Sequence, residues 1–313
     1  MSVRIGMGMA AFPFSSARRF WRWVELCEDS DVDSIWQTDR LVSAQPQLEP
    51  LSLMAALAGG TRRLKFGMNV VVLGFRDPLV LAKQCATIDL LSEGRLLPAF
   101  GVGADRSPEW EAMGLSPAGR GGRADEALQI MARLWAGERV TFEGNHYRYR
   151  DAQISPTPVQ RPLPLWIGGM SRAAVLRTAR LGTGWLGGTR AASEVAPVVA
   201  AIKREALAAG RVIDPDHYGV GFAYRFGEWD EPIVQRAAQG ASQLATGGDP
   251  RELMAVGDAE TIRRRIEAYC AAGVSKFVLR PLAVGDDEVM DQTRRLIETV
   301  VPVVHGMVAP AAD

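Results

Sequence analysis

The stretch Leu165-Trp-Ile-Gly-Gly-Met-Ser171 decides the fold, because it passes from a short apolar strand through two glycines into a helical pattern. That helical pattern continues to Leu181, and another short apolar run begins at Gly184. A strand, a tight turn, a helix and a further strand form the repeating unit of parallel α/β proteins. The sequence therefore predicts an α/β fold with a buried parallel sheet.

Strand candidates elsewhere in the chain repeat this unit with a regular spacing. In the N-terminal half they begin at Val3, Ser34, Lys65 and Leu96, a constant interval of 31 residues. This interval is about one eighth of a barrel of roughly 250 residues. The C-terminal half adds four more candidates, at Leu165–Ile167, Gly184–Leu186, Tyr218–Phe226 and Lys276–Arg280. We predict a single (β/α)8 TIM barrel over residues 1–313, with a doubly wound sheet as the structural alternative.

Two segments interrupt the alternation of strands and helices. After the fourth helix, apolar residues from Val140 to Tyr149 flank a Glu143-Gly144-Asn145 turn, which predicts a β-hairpin insertion. From Asp230 to Ala272 the pattern is helical, with breaks at Gly247-Gly248 and Gly257. We therefore expect extra helices between the seventh and eighth strands.

Composition and charge exclude several classes of function. Lys plus Arg (36) balance Asp plus Glu (36), so no broad positive field favours nucleic acid. No run approaches the length of a membrane span and the N-terminus lacks a secretory leader pattern, so we expect no membrane partner and a cytoplasmic location. No metal site is predicted, since the cysteines and histidines are scattered: Cys27, Cys85, Cys270, His146, His217 and His305.

In a barrel the active site lies at the carboxyl ends of the strands, where Gly168-Gly169 is the most informative pair. Glycines allow close approach to the backbone, and the start of the next helix carries roughly half a positive charge, which suits a phosphate. The alternative is a tight turn without a ligand. Gly103 begins a long loop, either a lid or a mobile connection, and Arg106 at the third glycine position argues against a dinucleotide fingerprint.

Residue types at the same ends argue against common barrel chemistries. A metal hydrolase needs clustered histidines, a Schiff-base aldolase needs a lysine in the mouth, and a retaining glycosidase needs two close carboxylates. Aromatic side chains are plentiful instead and favour an aromatic cofactor: Phe12, Trp36, Phe75, Trp110, Trp185 and Phe226.

Four stretches together resemble the luciferase-like monooxygenases, bacterial barrels that bind FMN or the deazaflavin coenzyme F-420 (F420). The stretches are Asp33–Asp39, Leu91–Gly103, Leu134–Glu138 and Pro156–Gly169, followed by Gly184-Trp185. The resemblance covers nearly the whole chain. The compact form is most similar to the F-420-dependent subgroup of actinobacteria.

This resemblance implies a cofactor site. Gly168, Gly169 and Met170 would offer backbone N–H groups to the cofactor phosphate, and Asn69-Val70 would lie beside the ring. The family commonly has a non-prolyl cis peptide at that place, so we predict one there. Gly103 and Trp185 complete the predicted cofactor site.

The chain departs from the family at the second strand, where relatives often carry an acidic residue followed by histidine and this chain has Asp39-Arg40. Arginine stays protonated at neutral pH, so Arg40 can clamp an anion but cannot shuttle protons; a structural ion pair with Asp39 or Glu49 is the alternative. Asp39, then Asp105, then Glu228 are the candidate proton carriers.

Phe12 and Arg280 are the candidate substrate residues. We expect an oxidoreductase acting on a small molecule, with F-420 and hydride transfer preferred over FMN and oxygen insertion. FMN would require a partner flavin reductase, and the resemblance implies a homodimer. The alternatives are a non-catalytic flavin-binding barrel and a barrel hydrolase acting on a phosphorylated substrate.

Overall fold

The computed structural model describes residues 2–244 and 249–307, with the side chains of 242–244 outside the description. The strands are β1 (Arg4–Met9), β2 (Ser34–Gln37), β3 (Lys65–Met68), β4 (Val71–Val72), β5 (Leu96–Leu97), β6 (Ala99–Gly101), β7 (Val140–Glu143), β8 (Arg148–Ala152), β9 (Trp166–Gly168), β10 (Gly184–Leu186), β11 (Tyr218–Phe226), β12 (Met254–Gly257) and β13 (Lys276–Pro281). The helices are α1 (Ala17–Glu28), α2 (Pro50–Gly60), α3 (Pro78–Leu91), α4 (Pro108–Ala112), α5 (Arg120–Trp135), α6 (Arg172–Leu181), α7 (Ala192–Ala208), α8 (Pro232–Leu244), α9 (Pro250–Leu253), α10 (Ala259–Ala271), α11 (Gly285–Thr299) and α12 (Val301–His305).

All strands except the hairpin β7-β8 belong to one parallel, curled sheet. Its order is β4-β6-β9-β10-β11-β13-β1-β2-β3-β5, with β12 paired to β11. Strands β3 and β4 follow one another along one extended stretch of chain, and β5 and β6 follow one another along the next. The strand order begins with the pair β4-β6 and ends with the pair β3-β5. The same two stretches of chain therefore stand at both ends of the order.

Two apolar layers hold this sheet, because successive side chains of a strand point to opposite faces. The larger layer packs the outer face against the helices. The inner layer contains Trp36 and Trp166, whose rings lie 6.2 Å apart. Glycines make room for these rings, since a Cβ on Gly67 would lie 2.6 Å from Trp36 and one on Gly184 would lie 2.5 Å from Trp166.

Helix starts follow local sequence signals. Asp77 caps α3, accepting hydrogen bonds from the N–H groups of Leu79 (2.9 Å) and Val80 (3.2 Å), and Pro78 occupies the first helical position. The same Pro arrangement begins α2 at Pro50. These caps fix where the chain leaves the carboxyl ends of the strands.

The segment between β11 and β13 differs from the prediction. The extra helices α8, α9 and α10 are present, but Met254–Gly257 forms β12, which pairs in parallel with β11, where a helical pattern with a break was expected. Four residues are too few to show a period, so the pattern of the run Met-Ala-Val-Gly does not distinguish it from its helical neighbours. The predicted break at Gly247-Gly248 lies outside the described residues. The hairpin β7-β8 follows α5 as expected.

Candidate functional site

The carboxyl ends of the parallel strands meet at one edge of the curled sheet, which we call the carboxyl edge. Segments that leave this edge include the Gly169 turn after β9, the Gly187-Gly188 turn after β10 and the residues after β13. The predicted site residues lie on these segments or at the strand ends beside them, so the structure brings most of them to one edge.

The turn after β9 forms a cradle, defined here as Gly168, Gly169, Met170 and Ser171. Gly169 has φ +121°, a conformation that L side chains rarely adopt. Its N–H donates to the Leu186 carbonyl (3.2 Å), so this predicted phosphate donor is already used by the sheet. The Ser171 hydroxyl accepts from the Ala174 N–H (3.2 Å) and caps α6. The N–H groups at the start of α6 have no intrahelical acceptor and point toward the cradle.

Val70 packs beneath the cradle. The peptide bond between Asn69 and Val70 is cis, which confirms the expectation from the resemblance. A Cβ on Gly168 would lie 2.8 Å from Val70 Cγ1, and a Cβ on Gly101 would lie 2.6 Å from Val70 Cγ2. The packing of Val70 therefore explains the absence of a side chain at Gly168.

Asn69, Gly103 and Trp185 occupy three different positions around this centre. Asn69 Nδ2 lies 3.8 Å from the Cβ position of Gly221, across the sheet interior. Gly103 has φ +74° and packs against Val72. Trp185 is fully buried in the outer layer, and its indole N–H donates to the Gly169 carbonyl (2.8 Å). Trp185 therefore reaches the cradle only through Gly169, because its side chain points to the helical face of the sheet.

At the end of β2, Asp39 is held by an arginine that the sequence analysis did not single out. The Asp39 carboxylate is fully buried and accepts from Arg76 Nη1 (2.6 Å), Arg76 Nη2 (2.9 Å) and Val72 N–H (2.9 Å). Arg76 also donates to Glu49 (2.9 Å). Burial lowers the pKa of Arg76, but the hydrogen bonds and charges of these two acids outweigh it and raise that pKa. Three of the lone-pair sites of Asp39 are thus occupied.

The suggested ion pair of Arg40 with Asp39 or Glu49 is wrong, because Arg76 pairs with both acids. Arg40 is 48% exposed, and its Nη1 atom lies 3.9 Å from Oε2 of the buried Glu109. Hydrogen bonds from Ser107 and from the backbone, together with Arg40, outweigh burial and lower the pKa of Glu109.

Asp105 and Glu228, the other candidate proton carriers, lie on exposed loops. Asp105 is 66% exposed and forms an ion pair with Arg120. The loop that contains Asp105 is anchored, because Trp110 is buried against Phe75, with ring centroids 4.5 Å apart. The Trp110 indole N–H also donates to the Ala104 carbonyl (2.8 Å). These contacts pack the loop that contains Asp105 against the segment after β4.

A cavity of about 570 Å³ opens between the ends of β1, β11 and β13 and the helices α8 and α9. Arg280 lines it and donates from Nη2 to the Thr189 hydroxyl (3.1 Å). Burial lowers the pKa of Arg280. Phe12 packs against Phe14 and Phe20 at ring distances of 5.5 and 5.7 Å, and it is Phe14 that lines the cavity.

Within residues 2–244 and 249–307, no cluster of three or more potential metal ligands occurs, and no helix is long and apolar enough to cross a membrane.

Comparison with known proteins identifies the family. The profile of the luciferase-like monooxygenases matches residues 3–230. The chain belongs to this luciferase-like family. Curated relatives of this luciferase-like protein include an uncharacterized protein of Mycobacterium tuberculosis, 35% identical over 171 residues (54% of this chain, 58% of the relative). An F420-dependent glucose-6-phosphate dehydrogenase of Beutenbergia cavernae is 33% identical over 195 residues (59% of this chain, 56% of the relative). The chain thus spans little more than half the length of these relatives.

Solved structures of similar fold cover the luciferase-like chain almost completely. Monooxygenase RslO1 from Streptomyces bottropensis has a TM-score of 0.83 at 22% identity, covering 96% of this chain and 99% of that one. An F420-dependent secondary alcohol dehydrogenase in complex with an F420-acetone adduct has a TM-score of 0.82 at 20% identity, covering 97% and 99%. The oxygenating constituent of 3,6-diketocamphane monooxygenase from Pseudomonas putida, in complex with FMN, has a TM-score of 0.76 at 17% identity, covering 99% and 100%. At these identities the likeness establishes the fold, an α/β fold with a curled parallel sheet.

Proposed function

We propose that the chain is an oxidoreductase that uses reduced coenzyme F-420 to transfer a hydride to or from a small organic molecule. The observation that carries the proposal is the cradle, where β9 ends on Gly168 and Gly169, Gly168 packs on Val70 of the cis peptide, and α6 begins at Arg172. When bound, F-420 would supply the hydride chemistry. Residues Gly168 to Ser171 would hold its phosphate, with Arg172 and Ala173 N–H groups as donors in place of the engaged Gly169 N–H.

Charge at the neighbouring helix starts favours F-420 over FMN. Helices α5 and α6 lie side by side, joined by the Arg177 side chain, which binds Asp125 (2.6 Å) and the Gly121 carbonyl (3.3 Å). Neither helix has an acidic residue in its first turn, although acids are favoured there; arginines stand there instead, at Arg123 and Arg172 and at Arg120, whose charge is paired with Asp105. This concentration of positive charge suits a cofactor with an acidic tail beyond its phosphate.

Asp39 is better suited to positioning than to proton transfer. Its carboxylate binds Arg76 and the Val72 N–H, and so it fixes the segment that follows Val70. Asp105 remains a candidate proton carrier because its carboxylate is exposed.

The finer structural expectations belong to the same proposal. The double pairing of β3-β4 with β5-β6 supports closure of the sheet into a (β/α)8 barrel that forms one domain over residues 1–313. We expect a cytoplasmic homodimer. If FMN is the cofactor instead, a flavin reductase would be the partner and oxygen insertion the reaction.

Titration of the purified chain with reduced and oxidised F-420 and with FMN, followed by cofactor fluorescence, tests the proposal. We expect saturable binding of F-420, with binding to Gly168→Val weaker by roughly 10- to 100-fold, since the added side chain must displace Val70. Gly59→Val is the matched control, because nothing lies within 4 Å of a Cβ there. Binding of FMN alone would favour the monooxygenase, and phosphate-ester cleavage without either cofactor would favour the hydrolase.

A further inference from the structure

The cavity at the ends of β1, β11 and β13 is built almost entirely from apolar groups. Among the described residues, Arg280 is the one charged side chain that lines it, and Gln45 and Thr189 are the polar ones. The remaining lining is small or hydrophobic, from Met9, Phe14, Trp23, Leu253, Met254, Leu282 and Val289 together with alanine, glycine and proline residues. Such a surface favours a ligand with an apolar body and few hydroxyl groups.

Arg280 has donors that no protein acid satisfies. Within the described part of the chain, no carboxylate lies within 4.0 Å of its guanidinium, and its side-chain hydrogen bond goes to the neutral Thr189 hydroxyl. A guanidinium carries five N–H donors arranged to bind a planar carboxylate at two points. A partly desolvated cation of this kind is costly unless an anion pairs with it. The geometry therefore leaves a place for an anion at the inner end of an apolar cavity.

Arg280 lies at the carboxyl edge that also contains the cradle. Arg280 lies opposite Ala223 of β11, and its Cγ atom would be 2.9 Å from a Cβ on Gly8 of β1. Thr189, its hydrogen-bond partner, follows β10, and β10 pairs with β9, which leads into the cradle. A ligand held by Arg280 would thus lie at the same carboxyl edge as a cofactor held by the cradle, with β10 and β11 between β9 and β13.

We propose that the cavity binds the substrate as an amphipathic carboxylate, with its carboxylate on Arg280 and its apolar body between Phe14, Trp23 and α8. This rests on the proposed oxidoreductase function and names its substrate class. A sugar phosphate suits the cavity poorly. Its phosphate dianion would find one cation, Arg280, and its several hydroxyl groups would find two polar side chains, Gln45 and Thr189, so some of its polar groups would lose hydrogen bonds to water without replacement. The volume of about 570 Å³ lies in the usual range for small-molecule sites.

Direct binding of matched probes to the cofactor-free protein tests this. Decanoate, decanol and glucose 6-phosphate are titrated separately by calorimetry, with the fluorescence of Trp23 and the other tryptophans as a second readout. We expect decanoate to bind about 10- to 100-fold more tightly than decanol, and glucose 6-phosphate to bind more weakly than decanoate. Arg280→Met should remove the preference for decanoate and retain decanol binding.

Two further variants test whether a change in binding could result from loss of folding. Ala241→Trp, on the α8 wall of the cavity, should weaken binding of both decanoate and decanol. Arg204→Met, an arginine 68% exposed on α7, should leave all three affinities unchanged. Equal binding of decanoate and decanol to the wild-type chain, or decanoate binding that Arg280→Met does not alter, would overturn the proposal.

The cofactor titration separates this inference from the proposed function. A chain that binds F-420 or FMN but not decanoate retains the proposed function and loses the carboxylate site. A chain that binds decanoate through Arg280 but neither cofactor retains the site and loses the proposed function. If Arg280→Met weakens F-420 binding tenfold or more and leaves decanoate binding intact, Arg280 serves the cofactor and the substrate proposal is wrong.

Discussion

Two largely buried arginines lie at the carboxyl edge in opposite surroundings. Arg76 donates to two carboxylates, Asp39 and Glu49, whereas the side-chain hydrogen bond of Arg280 goes to the Thr189 hydroxyl. The pKa of Arg76 is raised because these acids outweigh its burial, and the pKa of Arg280 is lowered by burial. The same side chain is thus neutralised from within the protein in one place and left for an external anion in the other.

This difference separates a structural arginine from a binding arginine. Arg76 joins the end of β2 to the segment after β4, since Asp39 also accepts from the Val72 N–H. Its interactions are complete without a ligand. Arg280 lines a cavity, so its interactions are completed by whatever enters. The comparison predicts opposite effects of the same substitution on stability.

The largest expected effect is at Arg76. Arg76→Met should lower the free energy of unfolding by ~3–5 kcal/mol, because it leaves the buried Asp39 carboxylate without its cation. Urea denaturation followed by circular dichroism measures this. Arg139→Met is the matched control, since its ion pair with Asp151 is of similar length (2.7 Å) but both side chains are at least 60% exposed. We expect the control to change stability by less than about 1 kcal/mol. Similar losses for both variants would contradict the comparison.

An intermediate effect of opposite sign is expected at Arg280. Arg280→Met removes a desolvated cation that has no acid partner among the described residues, so the free energy of unfolding should stay the same or rise by about 1–2 kcal/mol in dilute buffer. Decanoate should then raise the melting temperature of the wild-type chain and leave that of the variant unchanged, as measured by thermal unfolding. A loss of stability near that of Arg76→Met would place both arginines in the same structural class.

Features that depend on local sequence could be predicted. The 31-residue interval and the strand-turn-helix pattern at Leu165–Leu181 indicated the parallel sheet, because each βα unit carries its own apolar run, turn and cap. The cis peptide at Asn69-Val70 followed from the resemblance alone.

Features that depend on contacts distant in sequence could not be predicted. Arg76 lies 37 residues from Asp39, and nothing in the sequence around either distinguishes that pair from Asp39-Arg40, which are adjacent in the chain. The engagement of the Gly169 N–H by Leu186 likewise depends on how two strands align. A strand-end glycine pair shows where a backbone turns, but which of its N–H groups remain available is decided by the neighbouring strand.

The smallest expected effect is a pH dependence confined to the Arg76 side. Hydrogen bonds from the Ser52 N–H and from Arg76 outweigh burial and lower the pKa of Glu49 in the folded chain. As the pH falls from about 5 to about 3, the Glu49 carboxylate is protonated in the unfolded chain before it is protonated in the folded chain. The stability that this carboxylate contributes above that range is therefore lost.

Glu49→Gln should flatten this part of the curve of stability against pH by less than about 1 kcal/mol, since the carboxylate is 37% exposed. Urea denaturation at several pH values measures it, with the exposed Glu298→Gln as control. The flattening should shrink in an Arg76→Met background, where the Ser52 N–H still binds Glu49, and should persist in full in an Arg280→Met background, because of these two arginines it is Arg76 that contacts Glu49. A dependence on Arg280 would contradict the separation of the two arginines in the structure.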